Sequence, residues 1–224
     1  MRSLGLGLVG KDSGVSSSRL AVIAITIDRT HGLIFISFRD YIAATHGAAA
    51  EQVLEGEPIY LLSEAYPDER FGALVERASE ATGLQRGTVL GEFGVFTAER
   101  TFVRLYPALF AVSSSARAFL LTVEQPIHEL VRTAIPNALP PKLDVSEFGE
   151  DGVTIVYTSP RRLCELLRGL VEGTARHYGE TAHIDERSCM HRGDYACLVE
   201  ARFEPEGFQN SDSRLGMPRF AGEL

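Results

Sequence analysis

No apolar run in this 224-residue sequence approaches the ~20 residues a helix needs to cross a bilayer, so no membrane span is expected. Basic residues are scarce. Against 30 Asp and Glu stand 22 Lys and Arg, a formal charge of −8, which excludes the clustered positive surface of a general nucleic-acid binder. Cysteine is scarce as well. Three in a chain of this length are too few for a disulfide framework, and the odd number points to metal or free thiols in a reducing, cytoplasmic setting. The octet Leu20–Ile27 is apolar, but no small-residue cleavage pattern follows it, so it is not read as a secretion signal. No internal repeat is present. A hydrophobic fraction of 45% supplies an ordinary core for one large domain, or a domain with an appendage.

From Gly32 the pattern is helical for roughly a hundred residues. Ile34, Phe38 and Tyr41 share one face, Leu74, Val75, Ala78 and Ala81 another, and Gly83 stops that second helix. Ser113 to Ser115 lead into a helix that runs on through Ile127 and Val131 toward Pro140-Pro141. The second half is mixed: strands at 142–146 and 152–158, a helix from Pro160 to before Gly179, then strands at 181–186 and 196–203. The expected class is α+β, with a helical N-terminal subdomain (about 30–90) packed on a mixed subdomain (about 91–204) built on an antiparallel sheet. Residues 1–29 read as an extension, and the polar, Gly- and Pro-containing 205–224 as a disordered tail.

The joint at Tyr157–Cys164 carries the most chemistry. Val153, Ile155 and Tyr157 alternate as in a strand, and Ser159-Pro160 reads as a helix cap followed by its first residue. Tyr157, Ser159 and Arg161 stand at spacing two, so strand geometry puts two hydroxyls and a guanidinium on one face, a set that suits a pair of carboxylates.

Three residues beyond Arg161 comes Cys164, and Cys189, His191 and Cys197 sit together on a downstream loop. If the helix spans 160–178, its two ends lie roughly 20 Å apart. A returning strand from Thr181 covers about 26 Å and brings Cys189 back beside Cys164. The four residues then make a closed, structural Cys3His zinc site, and His177 falls at the wrong end of the helix. His183 competes with His191 for the fourth place.

The Tyr-x-Ser-x-Arg motif, preceded by Pro140-Pro141 and by His128 twelve residues before Pro140, resembles the heme nitric oxide/oxygen binding (H-NOX) family. The similarity extends over about Gly32 to Phe203, and His31-Gly32-Leu33-Ile34 looks like the family's N-terminus. The resemblance implies a heme b sensor domain with the heme between the two subdomains. His128 is then the iron ligand, Tyr157, Ser159 and Arg161 hold the propionates, and Pro141 presses on the macrocycle. Ile34, Phe38 and Leu166 line the pocket, with Thr97 as a further distal position. Leu166 stands five residues after Arg161, where members that hold dioxygen carry a tyrosine. The resemblance therefore implies a non-enzymatic sensor that binds nitric oxide, disfavours dioxygen and signals to a separate protein, a histidine kinase or a diguanylate cyclase. The run SPRRLC…CMHRGDYAC looks like the branch of the family that carries a zinc site, where thiol oxidation adds a second sensing mode. The alternative is a zinc-stabilised domain that binds another hydrophobic carboxylate without heme, Arg161 holding the acid. Hydrolysis has little support, since His128-Glu129 has no nucleophile at a defined spacing.

Overall fold

The computed structural model describes residues 29–123 and 141–207. The extension, the segment carrying His128 and Pro140, and the polar tail lie outside the described residues.

The fold is α+β, as the periodicity predicts. A short strand β1 (Arg29–His31) opens it, antiparallel to β2 (Ala65–Pro67) with Thr30 opposite Tyr66. Between them run α1 (Gly32–Thr45) and α2 (Gly47–Leu54). The ring of His31 caps α1 by accepting the Leu33 N–H at 3.0 Å. Helix α3 (Asp68–Thr82) starts on Asp68 and Glu69, charges that suit a helix N-terminus, and ends on Gly83 at φ 72°. Helix α4 (Arg86–Phe96) passes into a π-helical turn (Thr97–Phe102). Short helices α5 (Val103–Leu105) and α6 (Pro107–Ala111) then lead to α7 (Ala116–Val123).

The C-terminal half is a four-stranded antiparallel sheet in the order β3-β4-β6-β5. Its strands are β3 (Lys142–Phe148), β4 (Gly152–Thr158), β5 (Glu180–Ser188) and β6 (Cys197–Pro205). Helix α8 (Cys164–His177) lies on the inner face, against Val153, Ile155, Val199 and Ala201. Two apolar clusters result. One fills the space between sheet and α8. The other, containing Phe35, Phe38, Tyr41, Phe71 and Phe93, fills the helical half and takes Leu163 and Leu166 from across the seam.

Two local features depart from the sequence reading. The helix after the motif starts at Cys164, not Pro160. Ser159 to Arg162 form a turn closed by the Arg162 N–H on the Ser159 carbonyl at 3.2 Å, with Pro160 in its second place. Arg162 then adopts φ 50°, a left-handed conformation that no helix can continue through. The π-turn at 97–102 has no sequence mark. There the extra residue accompanies a buried hydroxyl cluster, Ser37 Oγ lying 3.0 Å from Thr97 Oγ1 and 2.7 Å from Thr101 Oγ1.

Candidate functional site

The motif residues gather where the two apolar clusters meet. Tyr157, on the inner face of β4, is buried, and its hydroxyl accepts the Leu163 N–H at 3.2 Å across the turn. Ser159, also buried, accepts the Arg161 N–H at 3.3 Å. Burial pushes the Tyr157 phenol up, while hydrogen bonds from Ser159 and Leu163 and the Arg161 guanidinium pull it back. Two hydroxyls and one guanidinium therefore converge as their spacing predicts, although a turn and not a continuing strand aims the arginine.

The partner of that arginine is a finding of the structure alone. Arg161 Nη1 lies 3.3 and 3.2 Å from the two carboxylate oxygens of Asp68 and 3.3 Å from the Arg29 carbonyl. Both charged side chains are largely buried, 11% and 15% exposed. Thr30 Oγ1 donates to the same Asp68 at 2.6 Å. The β1–β2 pairing brings Thr30 beside the start of α3, so the first strand of the domain holds the counter-ion of the motif. Asp68 is 93 residues from Arg161 in sequence, and no local spacing signals the pair.

The pocket residues read from the sequence share one region. Phe38 and Leu166 belong to the helical half's cluster, and Ile34 packs against it. The two tyrosines of this cluster have committed hydroxyls: Tyr41 donates to Glu92 at 2.9 Å with His46 Nε2 also at 2.9 Å, and Tyr60 donates to Glu57. Thr97 is tied to Ser37. Pro141 stands directly before β3, half-buried. His128 lies outside the described residues.

The three cysteines come together as the helix-and-strand arithmetic predicts. Their sulfurs lie within 4.8 Å of one another, all three residues buried, with Cys164 Sγ and Cys197 Sγ 2.9 Å apart. Burial pushes the Cys164 thiol up, and Cys197 and Cys189 push the same way. Backbone amides point at the sulfurs. Met190 N–H donates to Cys197 Sγ at 3.3 Å, and the His191 N–H bonds the Cys189 sulfur. The loop is held by Asp194, whose carboxylate accepts the Cys189 N–H at 2.8 Å, and turns at Gly193, φ 93°. Buried thiols receiving N–H donors are a donor set suited to thiolate bound to a soft or borderline cation. The His191 ring nitrogens stay outside the sulfur trio in this structure: Nε2 meets the Arg162 carbonyl at 2.8 Å. His177 packs its ring on Phe110 and Tyr178, and His183 pairs with Glu204 on the outer sheet face, so neither approaches the cysteines.

A family model described as haem-NO-binding matches residues 31–186. Among solved structures, an H-NOX protein from S. oneidensis in the Fe(II)NO state superposes with a TM-score of 0.70 at 20% identity, covering 78% of this chain and 99% of that one. An unliganded Fe(II) H-NOX mutant from K. algicida gives 0.68 at 23% identity, with 78% and 97% covered. A mutant T. tengcongensis H-NOX gives 0.67 at 20%, again with 78% and 97% covered. A search of curated proteins found no match.

Proposed function

This chain belongs to the haem-NO-binding (H-NOX) family, and on that premise we propose that it is a heme-based sensor of nitric oxide that signals to a separate effector protein. The observation that carries the reading is the buried meeting of Tyr157, Ser159 and Arg161 at the seam between two apolar clusters. Such a group suits a flat apolar ligand bearing two carboxylates. In this reading those three residues would hold the propionates of heme b, Ile34, Phe38, Pro141 and Leu166 would enclose the macrocycle, and His128 would bind the iron.

Heme, when bound, would supply an iron able to take up a diatomic gas. The chain supplies the rest. Asp68 and the Arg29 carbonyl hold the Arg161 guanidinium in its orientation through Nη1. Leu166 and Phe38 would present apolar side chains to the gas, a lining that disfavours dioxygen with its partial negative charge. A signal leaves only if an effector binds the two states unequally. By the resemblance that effector is a histidine kinase or a diguanylate cyclase. Domain boundaries near residues 30 and 204 follow from the same reading.

The cysteine trio is proposed to hold zinc, with His191 as fourth ligand. Its oxidation would release the metal and loosen the hairpin between β5 and β6, a second input to the same domain.

The test is the ferrous absorption spectrum of protein from heme-replete cells, with and without nitric oxide and in air. The expected result is a strong Soret band that His128→Ala abolishes. An unchanged band in that variant sinks the ligand assignment. No band in the parent protein leaves the reading of a heme-free carboxylate binder.

A further inference from the structure

Arg162 is the one non-glycine residue with positive φ among those described, at φ 50°. A side-chain-bearing residue in that region is strained, and such strain persists where surrounding structure demands it. Here the conformation aims the Arg162 carbonyl at His191 Nε2, 2.8 Å away. A second group faces the same nitrogen. Glu165 Oε2 is buried, has no hydrogen-bond partner, and lies 3.7 Å from His191 Nε2. Its side chain lies close to α4, where a Cβ added at Gly87 would meet Glu165 Cγ at 3.3 Å.

A backbone carbonyl accepts and cannot donate, so Nε2 must carry the proton. A neutral imidazole protonated at Nε2 has its lone pair on Nδ1. The same histidine's backbone N–H already serves the Cys189 sulfur. We infer that the Arg162 carbonyl and the Glu165 carboxylate form an outer shell that fixes His191 as an Nδ1 ligand of the metal held by Cys164, Cys189 and Cys197. The inference rests on the zinc reading above and names two positioning residues for it. The ring lies outside the sulfur trio in this structure, so ligation would require the loop to turn inward. A carboxylate behind a ligating histidine raises its basicity and holds its orientation. The arrangement also joins the loop to the first turns of α8 and α4.

The experiment uses the full chain. Zinc stoichiometry and affinity are measured first by chelator competition on the parent protein and on Cys164→Ser. Glu165→Gln is then expected to weaken zinc binding about 10- to 100-fold, with the melting point of the metal-free protein unchanged. Arg162→Gly relieves the strain, so its melting point should rise. Long-range 15N correlation spectra of the zinc-loaded chain should show His191 coordinated through Nδ1 and protonated at Nε2. Coordination through Nε2, or parental zinc affinity in Glu165→Gln, overturns the inference while leaving zinc binding intact. A parent protein that binds no more zinc than Cys164→Ser removes the zinc reading itself, and this inference with it.

Discussion

Gly169→Ala is expected to lower stability by at least about 3 kcal/mol, at or beyond the usual upper range for overpacking. In α8 a Cβ at position 169 would sit 2.0 Å from the Gly91 carbonyl oxygen and 2.9 Å from the Gly94 Cα, both backbone atoms of α4. The contact is reciprocal. A Cβ at Gly94 would meet the Leu166 carbonyl oxygen at 2.5 Å, and one at Gly173 would meet the Val95 carbonyl oxygen at 2.6 Å. The two helices cross backbone to backbone through small residues, so no side chain can turn aside to make room. For a domain of this size the loss corresponds to a fall in melting point of roughly 6–12 °C. Gly72→Ala is the control of opposite sign. It lies within α3 with nothing within 4 Å of the added Cβ, and alanine there should gain up to about 1 kcal/mol. Thermal melts of the three proteins decide the matter, and a Gly169→Ala melt within 2 °C of the parent would show that the crossing yields.

That crossing shows where sequence reading stopped. The apolar stripe of α8 and the alternation of β4 and β6 were legible because burial imposes periods of 3.6 and 2. The convergence of Cys164, Cys189 and Cys197 was legible for a related reason: rise per residue fixes how far a helix and a returning strand carry the chain. Gly91 and Gly94 with Gly169 and Gly173 stand at helical spacing on both partners, a signal that spacing alone does not separate from glycines on an open helix face. Asp68 was not legible at all, since its pairing with Arg161 depends on β1 lying against β2 at the head of α3. The left-handed Arg162 was missed for another reason. Ser-Pro ahead of an apolar stripe is as good a helix start as a turn, and only the tertiary demand on the Arg162 carbonyl separates the two. His128 owed its assignment to resemblance throughout, because a histidine between Ile127 and Glu129 has no local feature that distinguishes a ligand from a half-exposed ring.

Leu166→Tyr is expected to raise the affinity of the heme-loaded protein for dioxygen. Leu166 is 8% exposed and packs in the cluster that contains Phe38 and Phe93. The hydroxyls already there, on Tyr41 and Tyr60, are spent on Glu92 and Glu57. A phenol at 166 therefore enters an apolar cluster, and left unpaired in the gas-free protein it costs about 1–3 kcal/mol. Bound dioxygen supplies the missing acceptor. A hydrogen bond to a partly charged atom contributes about 1.5–3 kcal/mol, so the oxygen complex should gain roughly ten- to hundredfold in affinity. Nitric oxide carries less charge on its outer atom and should gain little. Leu166→Phe has similar bulk without the hydroxyl and should show neither the cost nor the gain, which separates hydrogen bonding from shape. The measurements are oxygen dissociation rates of the ferrous proteins in air and their melting points without gas. The two effects must appear together, since the same unpaired hydroxyl that destabilises the empty pocket stabilises the filled one. A tyrosine variant with slower oxygen loss but no loss of stability would place an acceptor beside residue 166. A parent protein that already keeps oxygen would place a donor there, and the apolar-pocket account would fall.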